Sequence, residues 1–575
     1  MSNPDRTAAG AYLRSVLGQV PRLLASLDRE ADSVSYGSFD REYWAWKFRD
    51  FPVTMTQAGM LPLALLWHHA LDDNPYHRND VLREWILAAH ARLLSAQHRN
   101  GAFDSIAPFT QDHGVTLVSA YLLASTARLL EDALPRARLE RTKLAVHAAI
   151  RFGLRSREDY AFISNHQAAI ALAFLEAADF LEQPELRTEA DRILNDILQH
   201  QSPDGWYEEY GGPDPGYESL GIAYMAACWQ RTRDARLLDS LRRAVDFYSH
   251  FVHPDGSVGG TYGSRQTALW FPSGFERLAP HDPKAAAVAA FMRERMGAGN
   301  VLTPAAADTH NLTILLADYV HAALSATTLS SPERLPCETL EGVKYFADSA
   351  WAVAGTQHYY AVLAAGSGGP LRIHDRTGGR AVYEDAGYLV ATRGLRWSSQ
   401  AVGRARADGH ADGNEVACQT AGSEVRQEMP TPLKFILLRL ANLTLFRHPG
   451  LGRWLRRRIV ARLITSRRAG PYRLERRVAF GESRIEVRDR LSGPHGRVVE
   501  AVTLPRRFTG VHMGSARYYH PAELRALPTV PVTALGPLLE RAGEAALTFA
   551  IRFDGGSAML EVETTGTARV PGEAR

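Results

Sequence analysis

The sequence has few cysteines, no excess of charge of either sign and no long apolar run, and each shortage excludes a class of protein. Cys228, Cys337 and Cys418 are the only cysteines in 575 residues and form no CxxC pair. This excludes a disulfide framework or a thiolate zinc site and is typical of a reducing compartment. Lys and Arg number 66 against 63 Asp and Glu, a net charge of +3, so the overall charge does not indicate nucleic-acid binding.

Apolar stretches are equally limited. No segment reaches the roughly 20 apolar residues that a membrane span needs. The first 30 residues have apolar side chains at helical spacing, but Arg14, Arg22 and Asp28 interrupt them, so the pattern is not that of a signal peptide. We therefore expect a cytoplasmic protein.

Helical patterns repeat through residues 50–330. Helix-start signals at Thr56, Asp112, Ser164 and Asp214 are 56, 52 and 50 residues apart, and Asp308 is a further candidate. Second helices are predicted between them, at 81–97, 139–154, 187–201 and 235–251. A period of about 50 with two helices indicates repeated helical hairpins. Because the helices are long and aromatic-rich loops lie at one end, we favour a closed α/α toroid over an open solenoid.

The pattern changes after a polar linker at roughly 330–340. Short runs with period-2 alternation and glycine-rich turns follow, which predict an antiparallel β domain, a sandwich. The predicted fold class is therefore α+β multidomain. We divide it into an N-terminal helical arm (1–50), an α/α toroid (51–330) and a β-sandwich (331–575).

A basic insertion, residues 429–474, interrupts the sandwich pattern. It contains eleven Lys or Arg and no acidic residue, and its apolar spacing predicts two short amphipathic helices. Three interpretations are open. The insertion packs its apolar face on the sandwich, forms a lip over an acidic substrate, or lies on the inner face of an anionic membrane as a peripheral contact.

Two predicted helix N-termini carry candidate catalytic residues. Ser164 and Gln167 fit a capping box, which places Asn165 and His166 in a first helical turn, where free N–H groups favour an anion. Asp214 is a predicted N-cap one repeat later, so Tyr217 also lies in a first turn, 52 residues after Asn165. One full period puts both turns at the same end of adjacent helices. The spacing therefore predicts that these side chains converge.

Other candidates lie in loops. Aromatic faces stack on sugar rings and carboxylates bind hydroxyl groups, so an aromatic and acidic loop, together with a second aromatic segment, is a candidate substrate-binding surface. An ordinary loop and a packed N-terminal arm are the structural alternatives. Arg265 falls about one further period along and could hold a carboxylate. The candidate substrate-binding residues are Trp206, Tyr207, Glu208, Glu209, Tyr210, Arg265, Tyr43 and Trp44, and His410 lies in a polar loop of the sheet region.

These residues resemble those of the heparinase II/III and alginate lyase type of polysaccharide lyase, over most of 35–500. Ser164-Asn165-His166 resembles the Asn-His pair of that family, and Gly216-Tyr217 its catalytic tyrosine. The segment 383–393, followed by 409–412, resembles its "DAGY…R" strand and "H-x-D" turn. The chain departs from the family where an Asp-Pro-Gly turn is usual, because the basic insertion begins instead.

The resemblance implies a lyase that cleaves a uronic-acid-containing glycan by β-elimination. Asn165 would bind the uronate carboxylate, with His166 or His410 assisting, and Tyr217 would act as base or acid. A tyrosine normally titrates near ~10, so Arg265 or a protonated histidine would have to lower its pKa. The implied partner is an acidic poly- or oligosaccharide. A uronyl C5-epimerase and a non-catalytic glycan-binding protein are the alternatives.

No cofactor is expected. His358, His374 and His410 show no recognisable ligand spacing, so the sequence predicts no metal site.

Overall fold

The computed structural model describes residues 8–158, 161–297, 299–327, 333–401, 407–425, 429, 431–448, 450–452, 454, 458, 468–510, 514–554 and 557–566. The second predicted helix of the basic insertion lies largely outside these residues. The α-helices are α1 (Ala8–Leu17), α2 (Val20–Ser26), α3 (Arg41–Trp44), α4 (Met60–His68), α5 (Asp80–Ser95), α6 (His113–Leu129), α7 (Arg136–Gly153), α8 (Ser164–Phe180), α9 (Leu186–Gln199), α10 (Pro215–Thr232), α11 (Ala235–Ser249), α12 (Ser273–Leu278), α13 (Pro283–Gly297), α14 (Thr309–Ser325), α15 (Pro336–Thr339), α16 (Pro432–Leu443) and α17 (Leu535–Ala542).

Helices α4 to α14 form two concentric rings. The even-numbered helices make the inner ring, in which each contacts the next and α14 contacts α4. The ring is therefore closed, which confirms the predicted α/α toroid. Helix α1 packs against α14 and shares the core of the toroid, while the boundaries at residues 50 and 330 stay predictions.

Burial explains which helices lie inside. Helix α8 has mainly small or apolar side chains on every side, and all but three of its residues are buried. Helix α11 buries only one stripe, which includes Leu237, Leu241 and Val245, and its other side carries charge. An apolar surface all round requires neighbours all round, whereas one stripe suits an outer position.

The loops that follow outer helices α5 and α9 repeat one hydrogen-bond pattern. Gln97 donates from Nε2 to the carbonyl of Gly101 at 2.9 Å and to a carbonyl of α7 at 2.8 Å. Gln201 does the same with Gly205 at 2.7 Å and with α11 at 2.9 Å. Both glycines have positive φ, +92° and +110°, and lie directly against the neighbouring outer helix. These two loops are thus built alike, from a glutamine side chain that bonds the next outer helix and a glycine turn.

In the described part of the chain, three antiparallel sheets follow the toroid. Their strands are β1 (Gly342–Phe346), β2 (Trp351–Gly355), β3 (Tyr359–Ala364), β4 (Leu371–Asp375), β5 (Arg380–Asp385), β6 (Leu389–Thr392), β7 (Leu395–Ser398), β8 (Asp408–Asp412), β9 (Glu415–Thr420), β10 (Ser423–Glu424), β11 (Arg473–Phe480), β12 (Arg484–Ser492), β13 (Val499–Thr503), β14 (Glu544–Asp554) and β15 (Ser557–Gly566). The sheet orders are β1-β2-β3-β4-β5, β10-β7-β6-β13 and β15-β14-β12-β11-β9-β8.

The first sheet is a middle layer between the toroid and the rest of the sandwich. Side chains alternate between its faces, with Trp351 and Val353 in the toroid core and Ala352 and Ala354 in the sandwich core. Strands β2, β3 and β4 are consequently buried at every residue. The antiparallel strands predicted for this region are thus present, and here both faces of the sheet are covered.

Most predicted helix starts are confirmed by their caps. The side chains of Asp112, Asp214 and Asp308 each accept a backbone N–H from the first turn, at 3.0, 3.1 and 2.8 Å. Thr56 does not cap α4. It lies in a 3-10 turn, Thr54–Gly59, and its hydroxyl donates to the carbonyl of Val53 at 2.7 Å.

Candidate active site

A cavity of about 370 Å³ runs down the axis of the toroid between the inner helices. Its mouth is at the N-terminal end of those helices, where the side chain of His166 is 41% exposed. Polar side chains line the mouth: Asp112, Glu158, Asn165, His166, Tyr217, Asn311 and Ser515. A mainly apolar wall follows, and a second polar group with Tyr224, Arg277 and Asp318 lies deeper.

Asn165 is held at the start of α8 by a carboxylate from the next hairpin. Glu209 accepts the backbone N–H of Asn165 at 2.9 Å with one oxygen and the Nδ2 amide at 2.7 Å with the other. The predicted capping box is therefore wrong. Ser164 donates its hydroxyl to the carbonyl of Glu208 at 2.8 Å, and Ile163 is the N-cap residue. The amide of Asn165 is fixed in direction and still has a second N–H to offer.

The carboxyl of Glu209 is completely buried. Burial raises its pKa to about 8, although the hydrogen bonds from Asn165 and the nearby charge of His166 act in the opposite direction. At pH 7 this group is mainly a neutral acid. A neutral acid beside Asn165 can accept a substrate carboxylate without electrostatic repulsion.

His166 pairs with Glu158 beside Asn165. Its Nδ1 lies 3.1 and 3.2 Å from the two carboxylate oxygens of Glu158. Burial opposes the charge on the ring, but the ion pair and hydrogen bond with Glu158 outweigh it and raise the pKa of His166 to about 9. The ring is therefore protonated at neutral pH, and the paired carboxylate of Glu158 balances its charge.

Tyr217 lies in the first turn of α10, as predicted. Its hydroxyl is 2.5 Å from Oγ of Ser515, a residue of the sheet region. Burial raises the pKa of Tyr217 to about 12, and Ser515 and Arg265 offset only part of this. The lowered pKa expected from the sequence is therefore wrong for the free protein, because loss of hydration outweighs the cation.

Arg265 is a buried cation next to this group. Its backbone N–H donates to Asp214 at 2.8 Å, and its guanidinium stacks 3.4 Å from the ring centroid of Tyr210. Among the described residues, its Nε and Nη1 have no hydrogen-bond partner. An arginine with unused buried donors is suited to bind an anionic group.

Several predicted site residues lie elsewhere. Trp206 and Tyr207 are core residues, with 3% and 0% exposure, so they offer no ring face to a sugar. Trp44 donates from Nε1 to the carbonyl of Ser26 at 2.9 Å, and Arg92 stacks on Tyr43. The described lining of the cavity includes neither of these pairs, nor Glu208. The convergence of Asn165, His166 and Tyr217 is confirmed, whereas that of the aromatic segments is not.

His410 also lies apart from the cavity. Residues 408–412 form β8, the edge strand of the six-stranded sheet, and the exposed His410 faces Ala417 in the register of β8 and β9. The segment 409–415 is thus a strand and a hairpin turn rather than a loop. A role for His410 in catalysis stays a prediction.

Glu158 and Ser515 were not predicted. Glu158 lies eight residues before His166, and a carboxylate in the loop preceding the Asn-His pair is the one local signal. Ser515 is 298 residues from Tyr217, so sequence spacing gives no signal for it.

The first sheet adds charged groups on the face that it turns to the toroid. Arg372 and His374 are two residues apart on β4, so both project from its toroid face, and Arg372 donates to Ser257 at 3.0 Å. Ligand atoms of His253, Asp255 and His374 lie within 4.8 Å of one another, a set that could hold a metal ion. Both ring nitrogens of His253 already contact hydroxyl groups, at 2.9 and 2.8 Å. Sequence spacing does not indicate this set, because His253 and Asp255 lie in the toroid and His374 lies in the first sheet.

The segment 383–393 has a structural role. Arg476 is fully buried and binds Asp385 at 2.9 Å and Asp489 at 2.8 Å, while Tyr388 donates to Asp489 at 2.8 Å. The DAGY residues therefore anchor a buried ion pair network in the sandwich, where removing one member would leave an uncompensated charge.

Comparison with solved structures gives polysaccharide lyases. Paenibacillus xanthan lyase superposes with a TM-score of 0.53 and 11% identity, over 87% of this chain and 47% of that chain. Chondroitin AC lyase of Streptomyces coelicolor A3, solved with chondroitin sulphate, gives 0.51 and 14%, over 85% and 67%. Heparan sulfate lyase HepC of Pedobacter heparinus gives 0.39 and 11%, over 84% and 68%.

The chain thus spans about half the length of the xanthan lyase. No family model and no curated protein matches the sequence. At these identities the likeness establishes the fold, and the predicted combination of toroid and sandwich is confirmed. Assignment to the heparinase II/III type stays a prediction.

Proposed function

From a fold shared with polysaccharide lyases, we propose that this chain cleaves an acidic, uronate-containing polysaccharide by β-elimination. The observation that carries the proposal is the convergence of Asn165, His166 and Tyr217 at the mouth of one cavity. The amide of Asn165, the ion pair of His166 with Glu158 and the hydroxyl of Tyr217 meet there, and preorganised donors of this kind stabilise a carboxylate as it gains enolate character.

In the proposed reaction, Asn165 donates the second N–H of its amide to the uronate carboxylate, which makes the C5 proton more acidic. Glu209, buried behind Asn165, fixes the direction of that amide. The phenolate of Tyr217 removes that proton. The electron pair forms the C4–C5 double bond, the C4–O bond breaks, and the same tyrosine returns the proton to the leaving oxygen. Tyr217 ends the cycle as a phenolate, so atoms and charge balance.

Arg265 supports this role through charge, because it lies near the hydroxyl that must ionise and offsets part of the rise in its pKa. In the proposal, substrate binding replaces the Ser515 contact of Tyr217. The structure of the free protein holds the tyrosine in its protonated form. Turnover therefore depends on a phenolate that is scarce at neutral pH.

The test is proton NMR in deuterated buffer with heparosan, chondroitin, hyaluronan and alginate. A new olefinic signal, lost in Asn165→Ala but kept in the matched Asn195→Ala on outer helix α9, is the expected result. Loss of the H5 signal without an olefinic signal would indicate that the protein is an epimerase and would overturn the cleavage proposal. Unchanged spectra with all four polymers would contradict catalysis on uronates of these classes.

A further inference from the structure

Helix α16 exposes large apolar side chains to solvent on almost every side. Leu433 is 65% exposed and Leu437 58%, and only Asn442 of its twelve residues is buried. The other large exposed residues of the helix are Phe435, Ile436, Leu438, Leu440 and Leu443. A contiguous exposed apolar surface of this kind marks a contact site. Packing on the sandwich, the first interpretation of the insertion, is therefore wrong for α16.

The helix is attached to the toroid by its polar side. Asn442 donates to the carbonyl of Pro108 at 2.6 Å, and Arg439 pairs with Asp50. Leu433, Leu437 and Leu440 are spaced i, i+4, i+7, so they share the opposite face. The helix is held in place while its leucines point away from the protein.

This attachment places α16 beside the mouth of the cavity. Its contacts are with the segments that contain Asp50 and Pro108, and Met55 and Ser105 of the same segments line the cavity. An acidic glycan entering the cavity would pass close to the helix. Such a glycan could use the positive charge, but it has no use for exposed leucines.

Charge and apolarity occur together in this segment. Residues 429–474 carry eleven Lys or Arg and no acid, and Trp454, which is 55% exposed, follows the helix. Basic residues beside exposed leucine and tryptophan match an interface of anionic headgroups over acyl chains. Among the described residues, no helix is long and apolar enough to cross a membrane.

We infer that α16 docks this protein on an anionic phospholipid surface, with Leu433, Leu437 and Leu440 inserted below the headgroups. The helix lies in the plane of the interface, and the exposed side chains of Lys434, Arg447 and Arg458 contact the lipid phosphates. The cavity mouth then faces along the membrane surface. This inference goes beyond the proposed function and does not depend on it.

The test is co-sedimentation of the full chain with vesicles of phosphatidylcholine alone or with added phosphatidylglycerol, without glycan. We expect binding to the anionic vesicles that weakens as salt rises, and little binding to the neutral ones. Leu437→Asp/Leu440→Asp should lower binding at least tenfold, because it places charge where apolar area is buried. Leu144→Asp, at a leucine of α7 that is 72% exposed, is the matched control and should bind like the unchanged protein.

Sedimentation velocity without vesicles tests the alternative that a second copy of this chain, and not a membrane, covers the leucines of α16. Equal binding to both vesicle types, or no binding to either, would overturn the inference. So would a dimer of the unchanged protein that the Leu437→Asp/Leu440→Asp variant dissociates, since the leucines would then cover a second copy. Failure of the NMR test with intact vesicle binding would overturn the lyase proposal and leave this one standing.

Discussion

At the scale of single residues, Tyr217 is the group on which turnover should depend most. Tyr217→Phe removes the hydroxyl that takes and returns the proton, while the ring continues to fill its place. Because positioned acid–base groups contribute about 10²–10⁴-fold to rate, we expect kcat to fall at least about a hundredfold. Glycan binding should change little. The measurement is the rate of olefin formation together with a glycan binding constant.

Tyr76→Phe is the matched control, because Tyr76 lies in the loop between α4 and α5 and packs at the edge of the core. It should leave the rate unchanged. A Tyr217→Phe variant that keeps more than a third of its kcat would show that another group moves the proton.

Glu209 and Tyr217 together set the expected dependence on pH. The phenolate fraction of Tyr217 rises tenfold per pH unit below its pKa of about 12, and the neutral acid of Glu209 is lost above its pKa of about 8. kcat/KM should therefore rise up to about pH 8 and then level off. In Glu209→Gln the neutral group cannot ionise, so the rise should continue beyond pH 8. A pH profile with the same plateau in both proteins would contradict the role of Glu209.

At the scale of elements, the start of α10 both stabilises the fold and positions two residues of the candidate site. Asp214 is fully buried and accepts N–H groups from Tyr217, Arg265 and Thr267, so one carboxylate caps the helix and fixes the loop that holds the arginine. Asp214→Ala removes the cap and leaves buried donors unpaired, which should cost more than about 2 kcal/mol of unfolding free energy. kcat should fall as well, because Tyr217 and Arg265 both lose their support.

Asp234→Ala is the control for this variant. Asp234 caps the outer helix α11 from a half-buried position and accepts one backbone N–H, from Arg236 at 2.9 Å, together with the exposed guanidinium of the same residue. Its loss should cost about 1 kcal/mol and leave kcat unchanged. If both variants lower the free energy of unfolding equally in denaturant, Asp214 does no more than an ordinary helix cap.

Local signals explain which elements could be predicted. Helix starts could be predicted at Asp112, Asp214 and Asp308, because the capping side chain and the N–H that it accepts are only three residues apart. The prediction from Ser164 was wrong because the carboxylate of Glu209, 44 residues from Asn165, accepts the N–H at the helix N-terminus instead. A cap supplied by another hairpin leaves no pattern in the local sequence.

The site shows the same division. The period of about 50 residues was enough to bring Asn165, His166 and Tyr217 to one end of the ring. The pKa of Tyr217 and its contact with Ser515 depend on burial between two domains, which spacing does not encode. The prediction that the aromatic loop binds sugar was wrong for Trp206 and Tyr207, because both side chains are buried in the core.

At the scale of the whole molecule, the toroid and the first sheet share one core. Trp351 on β2 is 1% exposed and packs against Phe247 and Phe251 of the toroid, with ring centroids 6.3 and 5.1 Å away. Tyr360 donates its hydroxyl to the carbonyl of His250 at 2.6 Å across the same interface. Neither domain can lose its partner without exposing large aromatic side chains to water.

The two domains should therefore unfold together. Trp351→Ala leaves a cavity at the interface and should cost about 3–5 kcal/mol, lowering the midpoint of a single calorimetric transition. Trp46→Ala, at a tryptophan that is 60% exposed, should change the unfolding free energy by less than about 0.5 kcal/mol. If heating resolves two transitions and Trp351→Ala shifts only one, the domains fold separately and the interface is an assembly contact. A single shifted transition would show that the cavity mouth, which needs Tyr217 from one domain and Ser515 from the other, is formed only in the complete fold.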